Sequence, residues 1–232
     1  MKVVAASDSS VLVTLGAEVS LESHQRVMQF FHAAQQLNDR RIRNIHLAYT
    51  SMLIDFDPLR LSYAQAIRLA KKIATAKTPS RRMRRDARVV TIPVCYDAEF
   101  APDLADVSAH AKLPPDEVIR LHSSAMYVAY FLGFQPGFAY LGGLPDALHI
   151  PRLATPRKHV AAGSVAIGGG HAGVYPADSP GGWRLIGRTA LRMFDASAAS
   201  PARIAPGDRV QFRPIDRTEF ERLRTSRADS AR

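Results

Sequence analysis

Five basic side chains lie between residues 133 and 189, a stretch that holds only two acidic ones, Asp146 and Asp178. The bases are Arg152, Arg157, Lys158, Arg184 and Arg188. A guanidinium presents a planar fork of N–H donors that matches a carboxylate or a phosphate, so this composition favours an anionic ligand. The alternative is that the same five side chains form a solubilising surface.

The same stretch contains most of the residues that shape turns. It holds 12 of the 14 glycines, six of the 15 prolines and the only tryptophan, Trp183. Glycine allows positive φ and a close approach to the backbone, whereas proline holds φ at about −65°. Because apolar residues are interleaved with them, the pattern predicts a rigid, turn-rich contact surface or, more simply, a β-barrel with many tight turns.

Several familiar chemical motifs can be excluded. Residues 168–173 match G-x-G-x-x-G in letters, but Pro176 and Pro180 follow, so the helix that a dinucleotide site requires cannot form there. A turn whose N–H groups bind an anion stays open. The chain has neither a P-loop nor a G-x-S-x-G elbow, so Ser164 and Ser179 are not nucleophiles of that type. The histidines are scattered singly, which predicts no metal site.

Composition predicts a cytoplasmic protein. The chain has 232 residues, 47% hydrophobic content and one cysteine, Cys95, which excludes an internal disulfide and suits a reducing compartment. No apolar run is long enough for a signal peptide or a membrane helix, so we expect no membrane partner. Cys95 lies on a predicted strand and is interpreted as a small core residue.

The net charge of +10 is concentrated near residues 77–88, which hold six bases and one acid. We interpret this segment as a linker or exposed loop; binding to a nucleic acid or an anionic surface is the alternative.

Two helices predicted at 103–111 and 115–124 resemble a helix-turn-helix in their spacing. The second begins with Pro115, Asp116 and Glu117, which would repel phosphates, so we expect no nucleic-acid partner.

Hydrophobic periodicity predicts an α+β fold of two domains. In residues 1–86 it indicates a strand at 11–15, a helix at 21–37 capped by Ser20, strands at 42–49 and 52–56, and a helix at 62–76. With a strand at 89–95 the order is β-α-β-β-α-β, that of a small ferredoxin-like domain. Residues 87–215 then form a β-barrel, with strands predicted at 126–134, 160–167, 183–187, 190–194 and 209–213. The polar tail 216–232 is expected to fray.

One family carries these motifs. The chain resembles the group that contains the B subunit of the prokaryotic ATP-dependent 5-oxoprolinase, proteins named allophanate hydrolase subunit 1, and the sporulation-kinase inhibitor KipI. It is also similar to one half of the carboxyltransferase domain of urea carboxylase. The resemblance lies in residues 133–144, Pro151-Arg152, Thr155-Pro156-Arg157, 162–165, 173–176 and 179–189. Upstream, residues 92–94, Pro102-Asp103-Leu104 and 117–122 also fit, and weaker similarity reaches back to residues 11–13 and 55–58.

The resemblance implies a cyclophilin-like β-barrel after a small α+β domain. It also implies a chain that is inactive alone and works with a homologous C subunit (carboxyltransferase or KipA type) and a separate A subunit (lactam-utilisation type). That assembly opens the lactam of 5-oxoproline to glutamate with ATP and Mg; no cofactor is expected to be tightly bound to this chain. A small-molecule amide is therefore the expected substrate.

The resemblance, together with residue type, suggests roles for individual side chains. Arg152, Arg157 and Arg188 are expected to neutralise phosphate charge. Backbone N–H groups at Gly163 and Ser164 are expected to bind an oxyanion, and Ser179 to contact substrate or ATP. The candidates for orienting substrate or moving a proton are His122, Tyr140 and Tyr175.

Two other functions stay open at this stage. As KipI does, the chain can serve as a regulatory binding protein that inhibits a histidine kinase. It can also belong to an allophanate- or urea-hydrolysing system, although it carries no biotin-carrier or amidase segment of its own. A prolyl isomerase is suggested only by the barrel, and fold analogy does not establish function.

Overall fold

The structure is a computed structural model that describes residues 1–75 and 88–229. It divides into two compact units, Met1–Ala87 and Arg88–Arg232. The predicted basic linker lies outside the described residues except for Arg88, and so does the end of the tail from residue 230. In the described parts of the chain no helix is both long and apolar enough to cross a membrane.

The first unit packs two helices on a four-stranded antiparallel sheet. Its elements are β1 (Lys2–Ser7), β2 (Ser10–Thr14), α1 (Leu21–Leu37), β3 (Ile42–Leu47), β4 (Ser51–Phe56) and α2 (Tyr63–Thr75). Ser20 caps α1 as predicted, because its hydroxyl accepts the Ser23 N–H at 3.1 Å. Alternate residues of β2 and β4, among them Val13 and Met52, point into the core below the helices.

The predicted β-α-β-β-α-β order is wrong for this unit. The sheet order is β1-β2-β4-β3, so the place beside β2 is taken by β1. The strand at 89–95, assigned by the prediction to this sheet, belongs to the second unit. β1 precedes β2 by only a short turn, so it can pair with β2 locally. Closing so short a loop loses little conformational entropy, and β1 becomes the edge strand beside β2.

The second unit is built from a barrel, a ribbon and three helices. In chain order its elements are β5 (Val89–Cys95), α3 (Leu104–Ala111), α4 (Pro115–Ser124), β6 (Tyr127–Leu132), β7 (Ala139–Gly142), β8 (Arg157–Val160), β9 (Ser164–Gly168), β10 (His171–Val174), β11 (Ser179–Gly181), β12 (Arg184–Arg188), β13 (Arg209–Ile215) and α5 (Arg217–Asp229). A single 3₁₀ turn lies at Asp146–Leu148.

Seven of these strands close into a barrel in the order β10-β7-β6-β13-β5-β12-β9. β5 and β13 run parallel, and the other pairs within the barrel are antiparallel. Inward-facing side chains such as Ile92, Leu141 and Ile186 fill the interior, and Val118 of α4 joins them. β8 and β11 form a separate two-stranded ribbon. The predicted α+β class with a β-barrel is thus confirmed.

Some strand predictions in the barrel need correction. Residues 190–194 form no strand and make only an isolated bridge between Phe194 and Ala202. The predicted strand at 160–167 is divided between β8 and β9, because Gly163 turns the chain at a φ of +84°. Its N–H donates to Tyr175 at 2.7 Å, and a Cβ at this position would collide with the Thr189 carbonyl oxygen.

The polar tail does not fray as expected over its described part. Residues Arg217–Asp229 form α5, and Phe220 is only 3% exposed because its ring packs on Phe100 at 4.6 Å between centroids. Arg217 places its guanidinium over the same Phe100 ring at 4.5 Å and pairs with Glu99 at 2.6 Å. Phe220, together with the partly buried Leu223, therefore holds a helix of otherwise polar composition.

Replacing Phe220 with Ala should destabilise the second unit by about 3 kcal/mol, because it removes a buried ring and leaves a cavity. Unfolding in urea, followed by Trp183 emission, measures the loss. Phe134→Ala is the control, since Phe134 is 60% exposed, and it should change stability by less than about 0.5 kcal/mol. Equal effects of the two substitutions would contradict the packing of α5.

Candidate functional site

A group of aromatic side chains lies on the outer face of the barrel. Along β7, Leu141 points into the barrel and Tyr140 points out; along β9, Val165 points in and Ala166 out. The outward residues meet side chains from the β8–β11 ribbon and its flanking loops. Together they form a second apolar cluster made of Phe138, Val160, Ala166, Tyr175, Trp183 and Leu185, with Tyr140 at its edge.

Glycine makes the close packing of this group possible. A Cβ on Gly168 would lie 2.8 Å from Cγ of Trp183, and one on Gly173 would lie 2.8 Å from Cζ of Phe138. The two rings therefore rest directly on the backbone of β9 and β10. They meet each other edge to face at 5.5 Å, the favoured arrangement for aromatic pairs.

Two of the predicted arginines reach this group. Arg152 is exposed and its guanidinium lies over the Trp183 ring at 5.5 Å, a cation–π contact. Arg157 donates from Nη2 to Oδ1 of Asp103 at 2.6 Å. We use the term aromatic–arginine cluster for Phe138, Tyr140, Tyr175, Trp183, Arg152 and Arg157.

The Tyr175 ring meets Phe138 edge to face at 5.3 Å, and its phenol lies among other members of the cluster. Burial raises the pKa of this phenol, while the backbone N–H of Trp183 and the charges of Arg152 and Arg157 lower it; Tyr140 raises it further. The phenol therefore stays neutral near pH 7 and can donate a hydrogen bond. The structure thus brings together Tyr140, Tyr175, Arg152 and Arg157 of the predicted site residues.

Phe134 was not among the predicted site residues. It lies at the tip of the β6–β7 hairpin with a φ of +68° and is 60% exposed, although it is a large apolar residue. Its ring meets Phe138 edge-on at 5.5 Å. A left-handed non-glycine residue is costly and tends to occur at functional sites. Phe134 extends the aromatic wall of the cluster toward solvent.

The proposed oxyanion site at Gly163 and Ser164 is not supported by the geometry. The Gly163 N–H donates to the Tyr175 carbonyl at 2.7 Å, and the Ser164 N–H donates to the Ala161 carbonyl at 3.2 Å. Since both donors are used inside the fold, neither is free for a ligand. These two residues shape the turn between the ribbon and the barrel.

Arg188 and Ser179 are also placed differently from Arg152 and Arg157. Arg188 donates from Nε to the Ala162 carbonyl at 3.1 Å, and its guanidinium lies over Phe100 at 5.7 Å. It thus contacts the ring that anchors α5. Ser179 lies on β11 opposite Val160, with its hydroxyl buried and without a hydrogen-bond partner among the described residues.

His122 is a core residue, and its predicted role as a proton carrier is wrong. It is fully buried, stacks on Phe212 at 4.4 Å, and its Nδ1 lies 2.8 Å from the Tyr96 hydroxyl. Burial lowers its pKa to about 3, so the imidazole stays neutral at physiological pH. The helical spacing that puts Val118 on the barrel also puts His122 there, four residues later.

Among the residues that the structure describes, no group of three or more His, Cys, Asp or Glu side chains could hold a metal ion. The positive groups of the cluster, Arg152 and Arg157, are suited to an oxyanion such as a carboxylate or a phosphate.

Comparison with known proteins agrees with this architecture. The family model of the carboxyltransferase domain, subdomain C and D, matches residues 1–204. The chain belongs to this family. It is 42% identical over 207 residues to the 5-oxoprolinase B subunit of Escherichia coli O157:H7, covering 89% of this chain and 93% of the relative. It is 38% identical over 218 residues to the 5-oxoprolinase B subunit of Haemophilus influenzae, covering 91% of this chain and 97% of that relative.

The crystal structure of TTHA0988 superposes with a TM-score of 0.78 at 34% identity, over 89% of this chain. This chain spans only 40% of the length of TTHA0988. The fold described above therefore also occurs as part of a longer polypeptide.

Replacing Gly168 with Ala should push Trp183 off β9 and cost about 1–3 kcal/mol, as overpacking does. The urea midpoint measures the loss, and the emission maximum of Trp183 should shift in the native state. Gly182→Ala is the matched control, because its Cβ would meet nothing closer than 3.6 Å. A native emission spectrum that Gly168→Ala leaves unchanged would contradict the close approach of this ring.

Acid should weaken the second unit through His122. The folded-state pKa of about 3 lies below the ordinary value of 6.5, so this contribution is complete above pH 6.5 and is lost as the pH falls toward 3. One proton taken up on unfolding gives a slope of about 1.4 kcal/mol per pH unit in that window. Urea unfolding of His122→Gln, monitored by Trp183, should show a smaller slope. His110→Gln, which alters an exposed side chain of the same unit, should keep the slope of the unchanged protein.

Proposed function

We propose that this chain is the B subunit of a 5-oxoprolinase. The observation that carries the proposal is its similarity, over nine-tenths of its length, to two proteins with that name. The aromatic–arginine cluster supports it, because a small lactam carrying a carboxylate needs flat apolar walls and a guanidinium. The expected product of the reaction is L-glutamate.

The chemistry requires activation of the amide. An unactivated lactam is a poor electrophile, and transfer of a phosphoryl group from ATP to its oxygen, with release of ADP, makes the carbonyl carbon reactive toward water. Water adds at that carbon and the ring C–N bond breaks as the nitrogen takes a proton. A second water then releases phosphate from the acyl phosphate and leaves the carboxylate of glutamate. In the proposed scheme Arg152 and Arg157 offset the negative charge that this step develops. Tyr175 donates from its neutral phenol to a substrate oxygen, and Tyr140 borders the ring. ATP would arrive with Mg in the assembled complex.

We further propose that the chain acts with a homologous C subunit and a separate A subunit in the cytoplasm. TTHA0988, in which this fold fills less than half of a longer chain, supports a requirement for additional domains. The partners would supply the parts of the catalytic centre that this chain lacks. Turnover by this chain alone is not expected.

The test is ATP-dependent formation of glutamate from 5-oxoproline. This chain is co-purified with candidate C and A subunits, and each subunit is left out in turn. Activity that disappears without this chain supports the proposal. A folded, intact complex that leaves 5-oxoproline unchanged contradicts it; the same complex is then assayed with allophanate and urea, and the chain as an inhibitor of a histidine kinase.

Within that complex, Arg157→Ala should lower kcat/KM for 5-oxoproline at least tenfold, since it removes a charge-assisted contact worth about 1.4 kcal/mol or more. Lys158→Ala is the matched control: it removes a neighbouring, exposed cation of the same strand and should leave kcat/KM within about twofold. Equal kinetics for the two variants would exclude Arg157 from the site.

A further inference from the structure

Asp103 is a buried carboxylate that joins three elements of the second unit. It lies at the start of α3, and its side chain is only 4% exposed. Oδ2 accepts the Leu185 N–H of β12 at 2.6 Å, and the Asp103 N–H donates to the Leu185 carbonyl at 3.0 Å. Oδ1 accepts from Nη2 of Arg157 on β8 at 2.6 Å.

These bonds make Asp103 a rigid anchor for Arg157. The backbone and one carboxylate oxygen are both tied to Leu185, so the second oxygen has little freedom to move. A long arginine side chain otherwise loses much rotamer freedom when it binds a ligand. An arginine held in place beforehand has already lost that freedom, which favours binding.

Arg157 retains a donor that the fold does not use. Its Nη1 is shielded from solvent and has no hydrogen-bond partner among the described residues. A buried donor without a partner is rare in native proteins and calls for an explanation, such as a ligand or water atom that bonds it. The Arg157 side chain as a whole is 30% exposed, so it is not sealed inside the fold.

Arg157 lies beside another member of the aromatic–arginine cluster, Tyr175. Arg157 is opposite Gly181 across the β8–β11 ribbon, and residues directly opposite each other share a face of a sheet. On that face Gly181 is in contact with the Tyr175 hydroxyl, for which a Cβ would leave no room. Arg157 and the Tyr175 hydroxyl therefore face the same space.

We propose that Asp103 is a positioning residue, which fixes Arg157 through Nη2 so that Nη1 binds an oxyanion of the ligand. The oxyanion is a carboxylate or a phosphoryl oxygen, since both accept from a guanidinium in the same way. The identity of that ligand rests on the proposed function; the positioning of Arg157 by Asp103 does not.

The test is a fluorescence titration of the full chain, because Trp183 is its only tryptophan and lies in the cluster. The probes are 5-oxoproline, which offers a carboxylate, and inorganic tripolyphosphate, which offers phosphoryl oxygens without a base. Asp103→Asn keeps an acceptor for the Leu185 N–H but loses the charge that holds Arg157. It should raise the Kd of the bound probe at least tenfold. In an Arg157→Ala background the same substitution should have no further effect on Kd.

Asp106→Asn is the matched control. It removes the pair between Asp106 and Arg184, 2.8 Å apart, from the same helix, and should leave Kd unchanged. A merely structural Asp103 would lower the urea midpoint without changing Kd, and its effect would add to that of Arg157→Ala. Either result overturns the proposal, as does the absence of any response of the unchanged protein to both probes.

A second variant tests the unused donor if Asp103→Asn does not fold. Arg157→Lys keeps a cation within reach of Asp103 but has no second nitrogen, so it should weaken probe binding at least tenfold; an unchanged Kd overturns the proposal. A response to one probe alone identifies the carboxylate or the phosphoryl oxygen as the ligand group. These titrations measure binding and need no turnover. A complex that is inactive on 5-oxoproline would therefore refute the proposed function, while the role of Asp103 would still be decided by the titrations.

Discussion

The second unit depends on the close approach of aromatic rings to the backbone of glycine residues. Trp183 and Phe138 rest on Gly168 and Gly173, where any side chain would displace them. This contact lets the β8–β11 ribbon cover the outside of the barrel and bury Val160. It also creates a flat aromatic wall beside charged side chains. The glycine-rich stretch is thus explained by packing against rings as much as by turns.

The arginines are arranged in different ways around this wall. Arg152 is exposed and lies over the face of Trp183, whereas Arg157 is held by a buried carboxylate. Arg188 is directed to Phe100, next to the helix that ends the described chain. Similar side chains in one segment are therefore divided between the aromatic wall and the packing of α5. Arg184 belongs to the second group, because it pairs with Asp106 of α3.

The chemistry of the cluster is compatible with the proposal that the family relationship carries. A neutral Tyr175 phenol, two guanidinium groups and an aromatic wall suit a small, flat, anionic amide. Two proteins named as the B subunit of 5-oxoprolinase are similar in sequence to this chain over about nine-tenths of its length. The barrel interior holds no part of this site: it is filled by apolar side chains, and His122 stacks there on Phe212.

Local patterns in the sequence were sufficient to locate some elements of the fold but not all of them. Hydrophobic periodicity and the capping residue Ser20 predicted both ends of α1 correctly. The concentration of glycines and arginines in residues 133–189 indicated the segment that forms the aromatic–arginine cluster. Long-range contacts, by contrast, bury His122 in the barrel and bring Asp103 to Arg157, 54 residues away. Local patterns report which face of an element is apolar. They do not report which distant strand or charge will face it, because that depends on how the whole chain closes.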